Sequence, residues 1–465
     1  MLNQTTSATN GQTTRPRSPL SPSEIMDIAR EREAALSRLL MAYISSGLAF
    51  MLLPGTFLGV WNLIQISGRE SVSSVSPAWI QAHGHAQVFG WVGSFILGIG
   101  YYSIPKLRNA EKPAFGAAWA CWIFWTVGVG LRWAANIYSW RWRILLPASA
   151  VLELAAFSIF FGTISQHRPE VKGKKQLEPW VWVVISASSG WLLVLVTNLY
   201  SCFQLSISGA GPALSHAFDQ RFLVLVAWGF LVPFVWGFSS KWMPVFLGLK
   251  PVRWGWLLAA LVLNFVGVGL TLLGWSAPAT PLFVIAALLA IVALAMFEPA
   301  RQEAKTRGVH SSFPLFIRLA YGWLLVAALL GVAAARWDSS GGIWGASRHA
   351  LTVGYVAIMI LAVGQRILPA FAGMRLLWST KLMFASLGLL TLGCALRVSC
   401  EILAYQGYAP WAWTILPISA LFELGGITAF AMNIFGTFIL EPSHVQKQPV
   451  VIAVSQSLPS NANRP

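Results

Sequence analysis

The chain has 465 residues, of which 56% are hydrophobic and 10% charged, and it contains 24 tryptophans and 27 phenylalanines. A soluble domain rarely has this composition, which indicates a polytopic membrane protein whose main partner is the lipid bilayer. The formal net charge of +16 comes from Lys and Arg scattered over predicted cytoplasmic loops. The membrane explains that distribution, so we expect no nucleic-acid partner.

Apolar runs recur along the chain, each close to the roughly 20 residues that a helix needs to cross a hydrocarbon core. The flanking segments 1–35 and 441–465 are polar and predict disordered cytoplasmic tails around a membrane domain at 36–440. We predict twelve transmembrane helices, at residues 38–64, 80–105, 113–136, 144–166, 179–203, 216–243, 253–274, 279–297, 315–335, 347–370, 382–404 and 410–440.

The loops between these helices predict the orientation of the chain. Lys and Arg are frequent in the loops at 106–112, 168–175 and 301–307, whereas the loops at 204–215 and 405–409 contain none. Because positive charge is retained on the cytoplasmic side, both termini are expected inside, with the chain in a bacterial inner membrane.

Short motifs recur in the same order at a pitch of about 135 residues. ISSGLAF, SASSGWLLV and RLAYGWLLV lie in the first, fifth and ninth predicted helices; HAQVFGW, HAFDQRF and HALTVGY open the second, sixth and tenth. GVGLRW, GVGLTL and GCALRV follow in the third, seventh and eleventh, and LPASAVLEL matches LPISALFEL in the fourth and twelfth. The sequence therefore predicts an all-α fold of three pseudo-threefold repeats of four helices, at about 36–175, 176–310 and 311–440.

Four histidines, His83, His85, His216 and His349, fall near one predicted membrane face. A single histidine there is commonly an interfacial hydrogen-bonded residue, but four at one depth on related helices indicate function, because intramembrane ionisable groups are costly. Imidazole binds both haem iron and copper. His83 and His85 lie roughly 200° apart around a helix, so they are expected to face different sites.

Two segments carry a family resemblance. HGHAQVFGWVGSFILGIGYYSIPK at 83–106 resembles the haem-binding helix of subunit I of the haem-copper oxidases and nitric oxide reductases, which have twelve helices in three units. RHALTVGYVAIMILAVGQR at 348–366 is similar to the ALHALTVGxxxxMxLAVxxR signature of the NnrS family. The resemblance implies an inner-membrane haem or haem-copper protein linked to nitric oxide metabolism or nitrosative stress tolerance, with a b-type haem expected.

The sequence also departs from the oxidases. Their seventh helix has a His-His pair for copper, whereas residues 254–274 contain no histidine. An oxidase-type binuclear centre and proton pumping are therefore not expected. The resemblance leaves open whether the chain is an oxidoreductase acting on nitric oxide, and it does not identify an electron donor.

We assign His85 and His349 as axial ligands of one haem, because their positions in the aligned helices match. His83 then faces a neighbouring site toward His216, where a second haem or a copper ion can bind. Arg348, next to His349, is a candidate partner for a haem propionate.

Matching charges also occur in the third, fourth, eleventh and twelfth helices. Arg132 matches Arg397, and Glu153 matches Glu423. One interpretation is an Arg–Glu ion pair within each unit, which would compensate the buried charges. The other has the arginines binding haem propionates and the carboxylates relaying protons.

Two functions outside redox chemistry remain open from sequence. A transporter with parallel repeats would use the histidines for protons or substrate. An assembly or carrier factor would handle haem or copper without catalysis.

Overall fold

The computed structural model describes residues 21–107, 115–166, 178–371 and 375–440. Within these ranges the chain is helical, with no strand. Its long helices run over α1 Pro22–Arg69, α2 Pro77–Leu107, α3 Phe115–Tyr138, α4 Trp142–Gln166, α5 Pro179–Ser208, α6 His216–Leu247, α7 Trp254–Leu272, α8 Ser276–Ala293, α9 Phe313–Trp337, α10 Gly342–Phe371, α11 Thr380–Tyr405 and α12 Ala412–Ile439. A 3₁₀ turn at Val72–Ser74 joins α1 to α2.

Eleven of these helices are long and apolar enough to cross a membrane. The sequence predicted twelve spans, and α3 is the described long helix outside the set of eleven. It has 24 residues, enough for a span, but its polar residues, Arg132 and Asn136 among them, lower its hydropathy. The chain is thus a membrane protein with many helical spans.

The first helix begins earlier than predicted. The Ser21 side chain accepts a hydrogen bond from the Glu24 backbone N–H, and the Glu24 carboxylate accepts one from the Ser21 N–H. This capping box, with Pro22 at the first helical position, starts α1 well before its apolar part. Residues 22–35 are therefore helical, and the predicted disordered tail extended too far; residues 1–20 and 441–465 lie outside the described residues.

Four of the helices contain a π-helical turn, a feature often found at functional sites. The turns are Met51–Phe57 in α1, Ala86–Gly93 in α2, Leu225–Leu231 in α6 and Ala350–Ala357 in α10. In α2 and α10 the turn begins at the residue that follows His85 and His349. The two histidines thus occupy the same position relative to the same irregularity.

The π turn in α6 corrects one sequence alignment. The fifth residue of the π turns in α2, α6 and α10 is a glycine: Gly90, Gly229 and Gly354. In this register the residue of α6 that matches His85 and His349 is Val224. His216, which the motif alignment matched to them, lies eight residues earlier and is exposed at the first position of α6.

The helices pack mostly in chain order and then close on the beginning of the chain. Helix α3 packs on α4, α7 on α8 and α11 on α12. Each pair is then contacted by a further helix: α5 packs on α4, α9 on α8, and the second half of α1 on α12. The last helix therefore returns to the first, and the histidines of α2 and α10 lie inside this arrangement.

Candidate functional site

His85 is paired with a glutamate deep inside the structure. Its Nε2 lies 2.8 Å from Oε1 of Glu153 on α4, with side-chain exposures of 6% and 0%. The imidazole stacks on Phe89, with the ring centroids 4.2 Å apart. Gly128 of α3 allows the close approach, since a Cβ there would lie 3.0 Å from both the Glu153 Cγ and the Ser149 carbonyl.

The Glu153 carboxylate continues into a hydrogen-bonded chain. Asn198 Nδ2 on α5 donates to Glu153 Oε2 over 3.2 Å. Arg132 Nη1 donates to Asn198 Oδ1 over 3.4 Å and to the Cys202 sulfur. Helix α5 thereby seals this region from one side, and Arg132 reaches the glutamate through Asn198.

His349 on α10 repeats the first half of this pattern. Its Nε2 lies 2.8 Å from Oε1 of Glu423 on α12, but here the side-chain exposures are 22% and 9%. Gly393 on α11 again lies under the glutamate, with a Cβ that would be 2.7 Å from Glu423 Cγ and 2.8 Å from the Ser419 carbonyl. This second pair is therefore built in the same way and is more open.

The arginine of this second region does not contact Glu423. Arg397 pairs with Glu401, one turn further along α11, with Nε 3.3 Å from Oε2. The predicted Arg–Glu pairs within each unit are not formed among the described residues, because the two glutamates at matching motif positions, Glu153 and Glu423, contact histidines instead.

His83 is held by α1 and lies near His349. Its Nδ1 lies 2.8 Å from the carbonyl oxygen of Gly55 in the π turn of α1, and its ring sits against Gly59, where a Cβ would lie 2.6 Å from Cε1. His349, Glu423 and Arg397 are among the ionisable groups near enough to influence His83. The two histidines of α2 have different hydrogen-bond partners, as the helical phase predicted, and no printed contact joins His83 to His216 among the described residues.

The predicted pairing of His85 with His349 as ligands of one haem stays a prediction. His85 and His349 each contact the glutamate of a different helix, and no hydrogen bond, ion pair or ring contact joins them among the described residues. Arg348 is engaged with α6, donating from Nη1 to Gln220 Oε1 over 3.1 Å. His83 lies near enough to be influenced by His349, and no hydrogen bond or ring contact joins these two imidazoles among the described residues either.

Each of the three imidazoles has one nitrogen held by an acceptor and forms no hydrogen bond through the other among the described residues. A carboxylate or carbonyl acceptor places the proton on the bonded nitrogen, so the other nitrogen of a neutral ring keeps its lone pair. This is how proteins orient histidine ligands. His83 presents Nε2, whereas His85 and His349 present Nδ1.

The described residues contain no group of three or more His, Cys, Asp or Glu side chains placed to hold a metal ion. A haem needs only one or two axial ligands, because the porphyrin supplies the others. Arg397 Nη1 is buried without a hydrogen-bond partner and can meet a carboxylate such as a propionate. The region of His83 and His349 therefore fits haem better than a bare ion.

Sequence reasoning missed the residues that distinguish the two regions. Asn198 and Cys202 on α5 and Gly55 and Gly59 on α1 carried no motif of their own. The alignment of ISSGLAF with SASSGWLLV could have pointed to these residues. It places Gly47 opposite Gly190, so without gaps each α1 residue aligns with the α5 residue 143 positions later.

Comparison with known proteins shows a fold and no established family. A family model described as a domain of unknown function (DUF8744) matches residues 246–431. No curated protein matches the chain. The chain is similar to one from the cryo-EM structure of a heme-copper terminal oxidase dimer, with a TM-score of 0.66, 12% identity, and coverage of 88% of this chain and 86% of that chain.

At this identity the likeness shows the fold alone. The chain is an integral membrane protein with the fold of a heme-copper terminal oxidase subunit, distantly related in structure. The matched family model does not bear the NnrS name, and the NnrS assignment stays a prediction.

Proposed function

We propose that the chain is a haem-binding protein of the bacterial inner membrane and that His83 and His349 are the axial ligands. The observation that carries the proposal is the position of His83. Its Nδ1 is fixed by the Gly55 carbonyl, its Nε2 forms no hydrogen bond among the described residues, and His349 on α10 is among the ionisable groups near enough to influence it. The similarity of the fold to that of a heme-copper terminal oxidase supports a haem in this membrane domain.

The surrounding residues have separate tasks in this proposal. Glu423 holds the His349 ring through Nε2 and raises its basicity as a ligand. Arg397 offers a guanidinium to a propionate, and Gly59 leaves space for the His83 ring. When bound, haem supplies a redox-active iron that binds diatomic gases.

His85 has a different role here from the ligand role that sequence assigned to it. Its pair with Glu153 is closed by Asn198, and the Arg132 cation lies at the end of the same chain. We infer that this network supports the fold and holds a proton between His85 and Glu153. It takes no cofactor in the proposal, and His216 takes none either.

We further propose twelve spans in three repeats of four helices, with both termini on the cytoplasmic side. Three observations support the repeats. The π turns align at their glycines, and Trp125 Nε1 and Asn264 Nδ2 donate to the carbonyls of Phe89 and Trp228, the fourth residues of two of these turns. The glutamates lie against Gly128 and Gly393, and in the middle unit Phe283 lies against Gly267.

The middle unit thus has apolar residues where the outer units have the pair. Val224 stands at the histidine position and Phe283 at the glutamate position. The proposal therefore contains two His–Glu pairs and one apolar counterpart.

The link to nitric oxide rests on the similarity of α10 to the NnrS signature. We propose nitric oxide binding or turnover at the haem, without an oxidase-type copper centre. Turnover of nitric oxide would need a redox partner that donates electrons, and the proposal gives that partner no other role.

Absorption spectra of the detergent-purified protein test the haem proposal, with oxidised and dithionite-reduced samples and iron and copper analysis. We expect a Soret band and iron without stoichiometric copper. A haem-replete preparation without a Soret band would sink the proposal. Nitric oxide added to the reduced protein is expected to shift the spectrum, and an unchanged spectrum would remove the nitric oxide link while leaving the haem.

A further inference from the structure

Glu401 lies beside Arg397, the arginine that the proposed haem site offers to a propionate. It follows Arg397 by one turn of α11 and is only 6% exposed. The Arg397 Nη2 donates to Glu401 Oε1 over 3.3 Å, and the Arg397 Nε lies 3.3 Å from Oε2. The carboxylate therefore faces the edge of the guanidinium formed by Nε and Nη2, and Nη1 lies at the other end of the group.

The matching arginine of the His85 region has different partners. Arg132 is followed one turn later by Asn136, whose amide donates to a carbonyl of the loop before α6. The Arg132 Nη1 donates to Asn198 and Cys202 on α5. The matching positions of α1 are glycines, and the Arg397 Nη1 has no hydrogen-bond partner among the described residues. The second region thus has an acid where the first has an amide, and a buried donor without a protein acceptor.

The start of α10 restricts the place of the Glu401 carboxylate. Gly345 lies against it, and a Cβ there would be 2.2 Å from Oε1 and 2.8 Å from Cδ. At Gly342 a Cβ would be 2.4 Å from the Tyr405 Cβ and 3.2 Å from the Glu401 carbonyl oxygen. Because the first turn of α10 approaches α11 this closely, the carboxylate has little room on that side to move away from Arg397.

The pair also determines the charge near the proposed haem. Arg397 is among the ionisable groups near enough to influence His83, and Glu401 is among those near enough to influence Arg348. A cation close to a haem favours the reduced iron, and an anion beside that cation offsets the effect. Glu401 is therefore placed to control both the direction and the net charge of the Arg397 group.

We propose that Glu401 is a positioning residue of the haem site, an inference that rests on the proposed function. Glu401 holds Arg397 by its Nε–Nη2 edge so that Nη1 meets the propionate, and its negative charge lowers the midpoint potential of the haem. Gly345 contributes by leaving the carboxylate its place between α10 and α11.

Redox titration of the purified holoprotein tests the role of the charge. Glu401→Gln keeps an oxygen that accepts a hydrogen bond from Arg397 and removes the negative charge. We expect this variant to retain haem as the unmodified protein does and to have a higher midpoint potential. Glu298→Gln is the matched control, because the Glu298 carboxylate pairs with Lys250 and Arg253 before the start of α9. A midpoint potential that stays unchanged in Glu401→Gln would overturn this role.

The rate of haem loss to apomyoglobin tests the positioning. Glu401→Ala removes the group that holds Arg397, and Gly345→Ala displaces that group, since the new Cβ would lie 2.2 Å from Oε1. We expect both variants to lose haem several-fold faster than the unmodified protein. Gly388→Ala on α11, with no atom within 4 Å of its new Cβ, is the control. Rates equal to that control in both variants would overturn the positioning role.

The Soret band distinguishes failure of the inference from failure of the proposed function. If the unmodified protein has no Soret band, the proposed function and this inference are both overturned. If the band is present and the variants change neither the midpoint potential nor the rate of haem loss, the inference alone is overturned. Should Glu401→Ala fail to accumulate, Glu401→Gln and Gly345→Ala still decide.

Discussion

The regions around His85 and His349 are built from the same parts and differ in how they are closed. In both, a histidine directly precedes a π turn and contacts a glutamate that lies against a glycine. The His85 side chain is 6% exposed and its glutamate 0%, whereas the His349 side chain is 22% exposed. The same pair is thus sealed in one place and accessible in the other.

The difference comes from the helix that covers each pair. Over the His85 region, α5 supplies Asn198 and Cys202, which bind Glu153 and Arg132. At the matching positions of α1, 143 residues earlier, lie Gly55 and Gly59. These two glycines leave the room that the His83 ring occupies.

This comparison teaches how the covering helix changes the surroundings of a His–Glu pair. Two side chains complete a closed hydrogen-bonded chain in one region, and their replacement by glycine admits a second imidazole in the other. We therefore expect ligand binding to depend on the covering helix, since the His–Glu pair itself is common to both regions. Changes to the pair and to the covering helix should therefore have different consequences.

The largest expected effect on stability is that of Glu153→Ala. Removing this carboxylate leaves His85 and Asn198 without their partner and the buried Arg132 cation without the acid of its network. Breaking a buried charged network typically costs about 3–5 kcal/mol. We expect a greater loss in denaturant unfolding than for the matched variant Glu423→Ala, whose site is more exposed. Equal losses would show that the two regions are closed to the same degree.

Gly59→Ala sharpens the comparison from the covering helix. The new Cβ would lie 2.6 Å from His83 Cε1, so the ring must move. Displacing a preoriented ligand is expected to weaken haem retention by about 10–100-fold, the usual effect of losing ligand support. Gly388→Ala, with no atom within 4 Å of the new Cβ, is the control. Competition with apomyoglobin measures retention, and identical values for the two variants would remove the role given to Gly59.

The smallest effect is expected from the glycines beneath the glutamates. Gly393→Ala places a Cβ 2.8 Å from the Ser419 carbonyl, whereas Gly128→Ala places one 3.0 Å from the Ser149 carbonyl. Overpacking of this kind costs about 1–3 kcal/mol. We expect Gly393→Ala to lower the Tm more than Gly128→Ala. The reverse order would mean that the closed region is the less tolerant of the two.

Most helix limits could be predicted from the sequence, because long apolar runs bounded by polar loops leave little choice of register. For α5, α6 and α12, predicted and observed limits agree within a few residues. The start of α1 could not be found from hydropathy, since a capping box and not an apolar run begins it. Arg132 and Asn136 lower the hydropathy of the α3 span, and their hydrogen-bond partners lie on other segments of the chain.

The site was harder to predict because its contacts depend on π turns and on the covering helices. A uniform helical period assigned His83 and His85 to different faces correctly, but it gave no information on which neighbour each face meets. The prediction that His216 matches His85 and His349 rested on the histidine that opens each of three short motifs. A better guide was the spacing of fifteen residues from glycine to proline, shared by Gly90 and Pro105, Gly229 and Pro244, and Gly354 and Pro369.

The central claim is that His83 and His349 hold one haem while His85 does not. Comparing the absorption spectra of His83→Ala and His85→Ala, each purified under identical conditions with haem supplied, tests it most directly. We predict that His83→Ala loses or strongly shifts the Soret band and that His85→Ala keeps the spectrum of the unmodified protein. An unchanged band in His83→Ala together with a lost band in a folded His85→Ala would contradict the account.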